Sequence, residues 1–374
     1  MAKRKTPGLT YTGGQWVIDK RVQGFGRLFE RTGIGDKGKE AEAVAYLNRR
    51  LGEIRDHQER EKNGIHTFRQ AATRYLKSET KRSLDRDAYC LKAADPFIGA
   101  LQLEHVHMGT LQPFIDSRRD EGIKSSTVVR ELSIIRRVLT LAARQYRDEQ
   151  GRPWLKQAVP MFTMPDWEDA AQAYPLNWEE QKRFFRLLPD YLAAMALFGV
   201  NTGLREQGIC WLRWDWEVKV PELGISVFIT PGKPRIYSDG KWTGEKNKED
   251  QVVVLNRVAR SVVDGQRGKH PVYVFPHRDK RLNTMYRSAW ITAWRKAGLP
   301  TDESVCRGPH NLKHTFGRRL SAAGVPPDIR KALLHHTTGD VTLHYSPADI
   351  GRLLEAAEMV VQQDREWTVL RRVR

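Results

Sequence analysis

The chain has 374 residues, with 63 lysines and arginines against 45 aspartates and glutamates, a formal net charge of +18. Hydrophobic residues make up 40% and aromatics 9%, enough for packed cores, which excludes a wholly disordered chain; the length fits roughly two or three domains. No run approaches the ~18 consecutive apolar residues of a membrane span, no apolar segment follows the basic N-terminus as in a secretory leader, and Cys90, Cys210 and Cys306 are too few and too scattered for a disulfide framework or a cysteine-built zinc site.

A soluble, reduced, intracellular protein is expected, and its excess of cations points to a polyanionic partner, DNA or RNA first. The charge is unevenly spread: net +5 over residues 1–31, zero over 32–65, +3 over 66–170 and +10 over 171–374.

In chain order, residues 8–32 read as three short strands. LTYTGG, QWVIDKRV and GRLFERTG alternate polar and apolar positions and are separated by glycines. DKGKEAEAVAYLNRRLGEI follows as a helix, with Ala43, Tyr46, Leu47 and Leu51 at helical spacing. Lys20, Arg21 and Arg27 on the candidate sheet are DNA-contact candidates. Residues 66–147 read as all-helical. Phe68, Ala72, Tyr75 and Leu76 mark one apolar stripe; Val128, Leu132, Ile135 and Leu139 mark another, opened by a capping cluster at Ser125-Ser126-Thr127. Arg130, Arg136 and Arg137 fall mostly off that stripe, either as a solvated basic face or as phosphate contacts. Residues 148–175 are rich in proline, tryptophan and aspartate and read as a linker. The remainder mixes helices (178–210, 282–297, 310–322, 326–335, 350–362) with strands (225–230, 235–238, 251–255).

The chemistry-bearing residues cluster in this last part. In NTGLREQGICWLRWDWE a helix reaching Val200 breaks at Thr202-Gly203, and Arg205 begins the next, where its forked donors suit a phosphate. In GEKNKEDQVVVLN, Lys246 sits in a polar turn before a strand. In GPHNLKHTFGRRLSAAGV, His310, Lys313 and His314 open an amphipathic helix after Gly308-Pro309. His310 and His314 have the spacing of a zinc-binding helix, but Asn311 stands where that motif requires glutamate. In KALLHHTTGDVTLHYSP, His336 precedes Tyr345 by nine residues. Each feature alone is an ordinary surface or packing feature. Their order and spacing together form a pattern: Arg, a hairpin Lys, H-x-x-(R/K), His, Tyr.

That pattern resembles the tyrosine recombinase (phage integrase) family. Thr202-Gly203-Leu204-Arg205 is similar to the family's first arginine box, Lys246 with Val253-Val254-Leu255 to its hairpin lysine and following strand, His310-Asn311-Leu312-Lys313-His314-Thr315-Phe316 to its H-x-L-R-H-T-F box, and Leu334-His335-His336 with Tyr345-Ser346 to its histidine and nucleophile boxes. Three positions depart from the pattern. Lys313 replaces the second arginine, Gly208 replaces an acidic residue that usually supports the first, and His335 replaces a glycine.

The resemblance implies a multidomain fold, mainly α with small β-sheets. Residues 1–62 would form an arm-type DNA-binding domain (three-stranded sheet plus helix), 66–150 a helical, SAM-like core-binding domain, 151–175 a linker, and 176–374 a mixed α+β catalytic domain with a C-terminal tail. It implies a site-specific recombinase that integrates or excises a phage or mobile element through a 3′-phosphotyrosyl intermediate, without ATP, metal or other cofactor. Tyr345 would be the nucleophile. Arg205 and Lys313 would hold the non-bridging oxygens, Lys246 would protonate the departing 5′-oxygen, and His310 and His336 would serve the nucleophile and the phosphate. The partners implied are double-stranded DNA attachment sites, a tetramer on DNA, and accessory DNA-bending or excisionase proteins, with no membrane. The compartment implied is bacterial cytoplasm, nucleoid-associated when DNA is bound. A DNA-binding member with weakened catalysis and a type IB topoisomerase-like enzyme are the alternative readings.

Overall fold

The computed structural model describes residues 6–62, 64–81, 83–245, 247–336 and 346–361. The chain divides into two compact units, residues 1–170 and 171–374.

The first unit opens with an antiparallel meander, β1 (Leu9–Thr12), β2 (Gln15–Val22) and β3 (Gly26–Arg31). Strict alternation sorts its side chains. Leu9, Trp16, Ile18 and Leu28 share the face covered by α1 (Glu40–Lys62), where they form a core with Ala43, Leu47 and Ile54. Glu30 ties sheet to helix, accepting from the Tyr46 hydroxyl (2.6 Å) and Arg50 Nε (2.9 Å). The opposite face carries Asp19, Arg21, Arg27, Phe29 and Arg31.

Four helices follow: α2 (Phe68–Ser78), α3 (Leu84–Ile98), α4 (Met108–Asp120) and α5 (Ser125–Arg144). Thr67 and Gln70 form a capping box that starts α2. Phe68, Tyr75, Leu91, Leu111, Phe114, Val128, Leu132, Ile135 and Leu139 fill the shared core. The start of α5 differs from the expectation. Lys124 is the N-cap, and Ser125 is already helical; its backbone N–H (2.7 Å) and hydroxyl (2.5 Å) both donate to the Asp169 carboxylate. A charged acceptor from 44 residues ahead supplies the cap that a local serine or threonine was expected to supply. The proline-rich stretch contains no helix or strand in residues 148–170, yet Leu155 and Phe162 join this core, and Trp154 stacks on His66 with ring centroids 4.0 Å apart.

In the second unit, the helical stretch expected over 178–210 with a break at Thr202-Gly203 is three helices, α6 (Trp178–Arg186), α7 (Asp190–Thr202) and α8 (Glu206–Trp211), the break between α6 and α7 being the unexpected one. Pro189, whose backbone lacks an N–H, separates the first two. Gly203, at φ +65, ends α7 in a left-handed cap. There β4 (Glu217–Val220), β5 (Ile225–Thr230) and β8 (Gln251–Val253) form an antiparallel sheet in the order β4-β5-β8, and β6 (Arg235–Tyr237) pairs with β7 (Gly240–Trp242) as a separate hairpin. Beyond β8 come α9 (Arg257–Asp264), α10 (Ser288–Lys296), α11 (His310–Ala322), α12 (Pro327–Leu333) and α13 (Pro347–Met359). Phe184, Met195, Phe198, Trp211, Trp242, Trp290 and Trp294 anchor the main core. A second cluster, with Val227, Val252, Phe316, Leu320 and Leu353, joins the sheet to α11 and α13. The fold class is the one expected, mainly helical with small sheets, and β4, β7 and α9 are elements the sequence reading lacked.

Candidate active site

The site is assembled at α11. Its buried side is fixed by polar contacts to the segment before α6: the Tyr174 N–H donates to Asn311 Oδ1 (2.9 Å), and the Leu176 N–H donates to Thr315 Oγ1 (3.0 Å). Asn311, where a zinc helix would need glutamate, therefore has an inward structural task, and also donates to the Cys306 carbonyl (2.5 Å). Helix periodicity then puts His310 and His314 together on the outer side, their rings edge to face with centroids 4.6 Å apart.

Lys313 lies between these faces and is 5% exposed. Its ammonium donates to the Leu334 carbonyl at 2.5 Å, in the turn that closes α12. Arg205 reaches the same turn. The left-handed Gly203 lets α7 end where a β-carbon would fall 2.7 Å from the Phe316 ring, so α8 and its leading Arg205 come in against α11. Arg205 Nη2 donates to the His335 carbonyl at 3.5 Å. Two cations thus hold two successive carbonyls.

His335, where the pattern it resembles carries glycine, keeps a glycine-like backbone at φ +51. Its imidazole is buried with neither nitrogen hydrogen-bonded among the described residues, and burial first, then Lys313, Arg205 and His336, push its pKa down to about 3. Burial also lowers His310, followed by His314, Lys313, Arg205 and His336; His336 is lowered by burial, then Lys313, Arg205 and His314. Arg205, His310, Lys313 and His336 are therefore brought into one electrostatic neighbourhood. His310, His314 and His336 are exposed, and the two cations lie deeper. Neutral imidazoles around fixed cations can both accept a proton and donate a hydrogen bond. Lys246 and Tyr345 lie outside the described residues.

One residue here was not singled out from the sequence. Glu245 is 7% exposed, and its Oε2 lies 3.7 Å from Arg205 Nη1. Its burial raises its pKa, opposed by Thr230, Arg205 and Lys313; the Thr230 hydroxyl lies beside it without a hydrogen bond of good geometry. Its position depends on a close backbone crossing: Gly244, at φ +80, passes so near Gly232 and Lys233 that a β-carbon there would sit 2.2 Å from the Gly232 carbonyl oxygen. His314, read in the sequence as part of the zinc spacing and of the H-x-L-R-H-T-F box, was given no role there.

The DNA-contact candidates separate. Arg21 and Arg27 are cross-strand neighbours on the sheet face away from α1, whereas Lys20 shares the α1 side with Leu28. Arg27 forms a two-pronged pair with Asp19 (2.7 and 2.6 Å) and lies over Phe29. Arg130 Nη2 lies 3.7 Å from the fully buried Asp87, Arg137 Nη2 is 3.5 Å from Glu79, and Arg136 is exposed with no acidic partner among the described residues.

Residues 178–350 match the family model described as the phage integrase family. Among solved structures, a fragment of the Tn1549 transposon integrase in complex with transposon right-end DNA is similar at TM-score 0.57 and 15% identity, over 78% of this chain and 94% of that one. A lambda integrase dimer bound to a COC′ core site is similar at TM-score 0.53 and 14% identity, over 99% of both chains. A lambda integrase tetramer bound to a Holliday junction is similar at TM-score 0.54 and 14% identity, over 92% of this chain and 99% of that one. No curated protein sequence matches the chain.

Proposed function

We propose, from the premise that this chain belongs to the phage integrase family through its residues 178–350, that it is a tyrosine-type site-specific DNA recombinase that integrates or excises a mobile genetic element. The observation that carries this reading is the convergence of Lys313 and Arg205 on the 334–335 turn, ringed by His310, His314 and His336.

Phosphoryl transfer needs cations on the non-bridging oxygens, an in-line nucleophile and a proton for the leaving oxygen. Arg205 and Lys313 supply the cations. The Tyr345 phenolic oxygen attacks the scissile phosphorus, forming a 3′-phosphotyrosyl bond as the bond to the 5′-oxygen breaks. His310, held neutral at pH 7 by its lowered pKa, accepts the phenolic proton, and the Lys246 ammonium gives one to the departing oxygen. His336 hydrogen-bonds the phosphate. Reversal by another strand's 5′-hydroxyl reseals the DNA, and the phosphotyrosyl bond preserves the energy that ATP would otherwise provide.

The domain roles follow the same reading: residues 1–62 bind arm-type sites, 66–150 bind core sites, 151–175 link them to the catalytic part, and 176–374 carry out the chemistry. The full-length likeness to lambda integrase in dimeric and tetrameric DNA complexes supports a tetramer on double-stranded attachment sites. A bacterial cytoplasmic location, near the nucleoid, goes with such a substrate; among the described residues no helix is long and apolar enough to cross a membrane.

The test is covalent trapping on a nicked duplex that carries the junction between the element and its host DNA. Wild type forms a protein–DNA adduct and Tyr345→Phe does not. No adduct from wild type overturns the enzyme reading in favour of a DNA-binding member, and relaxation of arbitrary supercoiled plasmid without site preference favours the topoisomerase reading.

A further inference from the structure

The first arginine of the site lacks its usual local acid, because position 208 is glycine. A β-carbon there would fall 2.9–3.1 Å from three atoms of the Leu204 side chain, so the backbone of α8 leaves little room for a longer residue. The adjacent Glu206 is engaged elsewhere: its Oε1 accepts from the Thr284 hydroxyl (2.6 Å) and from the Met285 (2.5 Å) and Tyr286 (3.1 Å) N–H groups. Yet Arg205 Nη1 is shielded from water and makes no hydrogen bond among the described residues. A buried guanidinium nitrogen in that state needs an anion nearby. Glu245 provides one from a different strand connection, 40 residues later in the chain, at 3.7 Å, with one carboxylate oxygen also without a hydrogen-bond partner among the described residues.

We infer that Glu245 is a positioning residue for DNA cleavage, replacing the missing acid at position 208 by holding Arg205 at Nη1 while the His335 carbonyl holds Nη2. This rests on the recombinase reading above. Held at Nη1 by Glu245 and at Nη2 by the His335 carbonyl, the guanidinium has its plane and reach set before DNA arrives. Because Glu245 also acts on Lys313, its charge keeps two deep cations from repelling each other in the absence of the phosphate. It also lies directly before Lys246, so a single backbone segment carries both the support for one cation and the proposed proton donor.

The test uses the full chain and the same nicked duplex, in single turnovers. Glu245→Gln removes the charge and keeps the shape. It should slow adduct formation about 100-fold, as expected when a reacting group is misplaced by about 1 Å, while the DNA dissociation constant changes by less than about threefold. In an Arg205→Ala background the same change should cost less than about threefold, because a residue that acts through Arg205 has nothing left to position; a merely structural role would cost the same in both backgrounds. If Glu245→Gln fails to fold by thermal melting, Glu245→Asp, which keeps the charge but draws it back by one methylene, should cleave at least about tenfold slower than wild type with unchanged DNA binding. A folded Glu245 variant that cleaves within threefold of wild type, or an equal loss in both backgrounds, overturns the inference while the recombinase reading stands. Absence of an adduct from wild type removes that reading and the inference together.

Discussion

Lys313 Nζ donates to the Leu334 carbonyl from a side chain that is 5% exposed. A lysine at this position therefore has a defined partner and is a built part of the site. A compact ammonium can serve one backbone carbonyl and one phosphate oxygen together, with donors to spare. The residue is short of the forked geometry of an arginine, not of charge.

This gives a graded expectation for position 313. Lys313→Met preserves the length of the stem and removes the charge. It should reduce the adduct-forming rate by about 100- to 1000-fold, the usual loss on removing one preorganised donor to a developing oxyanion, and lower stability by about 1 kcal/mol, because the Leu334 carbonyl loses its partner. Lys313→Arg should retain or raise cleavage, and Lys313→Ala should abolish it. Rates on the nicked duplex together with thermal melting test the series, and equal activity across it would remove Lys313 from the site.

A second expectation concerns acid. His335 has its pKa pushed from an ordinary 6.5 down to about 3 by burial. Above pH 6.5 the imidazole is neutral in folded and unfolded chains alike, and contributes no pH dependence. As pH falls below 6.5 the unfolded chain takes up a proton that the folded chain refuses, so stability falls by about 1.4 kcal/mol per pH unit for this group, down toward its folded pKa. His310, His314 and His336, all lowered, act in the same direction. His335→Gly suits the positive φ and keeps the carbonyl that Arg205 uses. Denaturant unfolding at pH 7, 6 and 5 should show a shallower loss of stability in His335→Gly than in wild type, with adduct formation at pH 7 retained. An unchanged slope would mean that the buried imidazole does not resist protonation.

How much of this was legible in the sequence depended on distance along the chain. The β1–β3 meander was readable because alternation and glycine turns are local, and α11 because Gly308-Pro309 announces it. The break between α6 and α7 was hidden by Leu187 and Leu188, which continue the apolar pattern across it. α9 was hidden because the apolar run of β8 leads straight into Val258. Its start is set by Asn256, which caps Ala259 and bonds Asn201 and Ala357 from distant helices. In the site, Arg205, His310, Lys313 and His336 were visible as an ordered set of residue types. Glu245 was not, because a carboxylate in GEKNKED reads as solvated. Only the crossing of Gly244 over Gly232 buries it beside Arg205.

The same dependence on distance separates the arginines of α5. All three face away from its apolar stripe, but Arg130 is drawn toward Asp87, a fully buried carboxylate that also accepts from the Tyr75 hydroxyl (2.6 Å) and Lys81 Nζ (2.5 Å). Removing Arg130 leaves that buried charge with less compensation, so Arg130→Ala should lower stability by about 1 kcal/mol, a figure already discounted for the solvent that reaches the guanidinium. Arg136 is exposed and has no acidic partner to give up on meeting a phosphate. Arg136→Ala should leave melting unchanged, weaken DNA binding across sequences, and reduce the slope of log K against log salt by about 1, the signature of one lost phosphate contact. Arg137, paired with Glu79 at 3.5 Å, should fall between the two. Salt titrations of DNA binding for the three alanine variants, with melting curves alongside, test the order. A larger change in salt slope for Arg130→Ala than for Arg136→Ala would reverse the assignment and make the Asp87 pair a reservoir that opens to DNA.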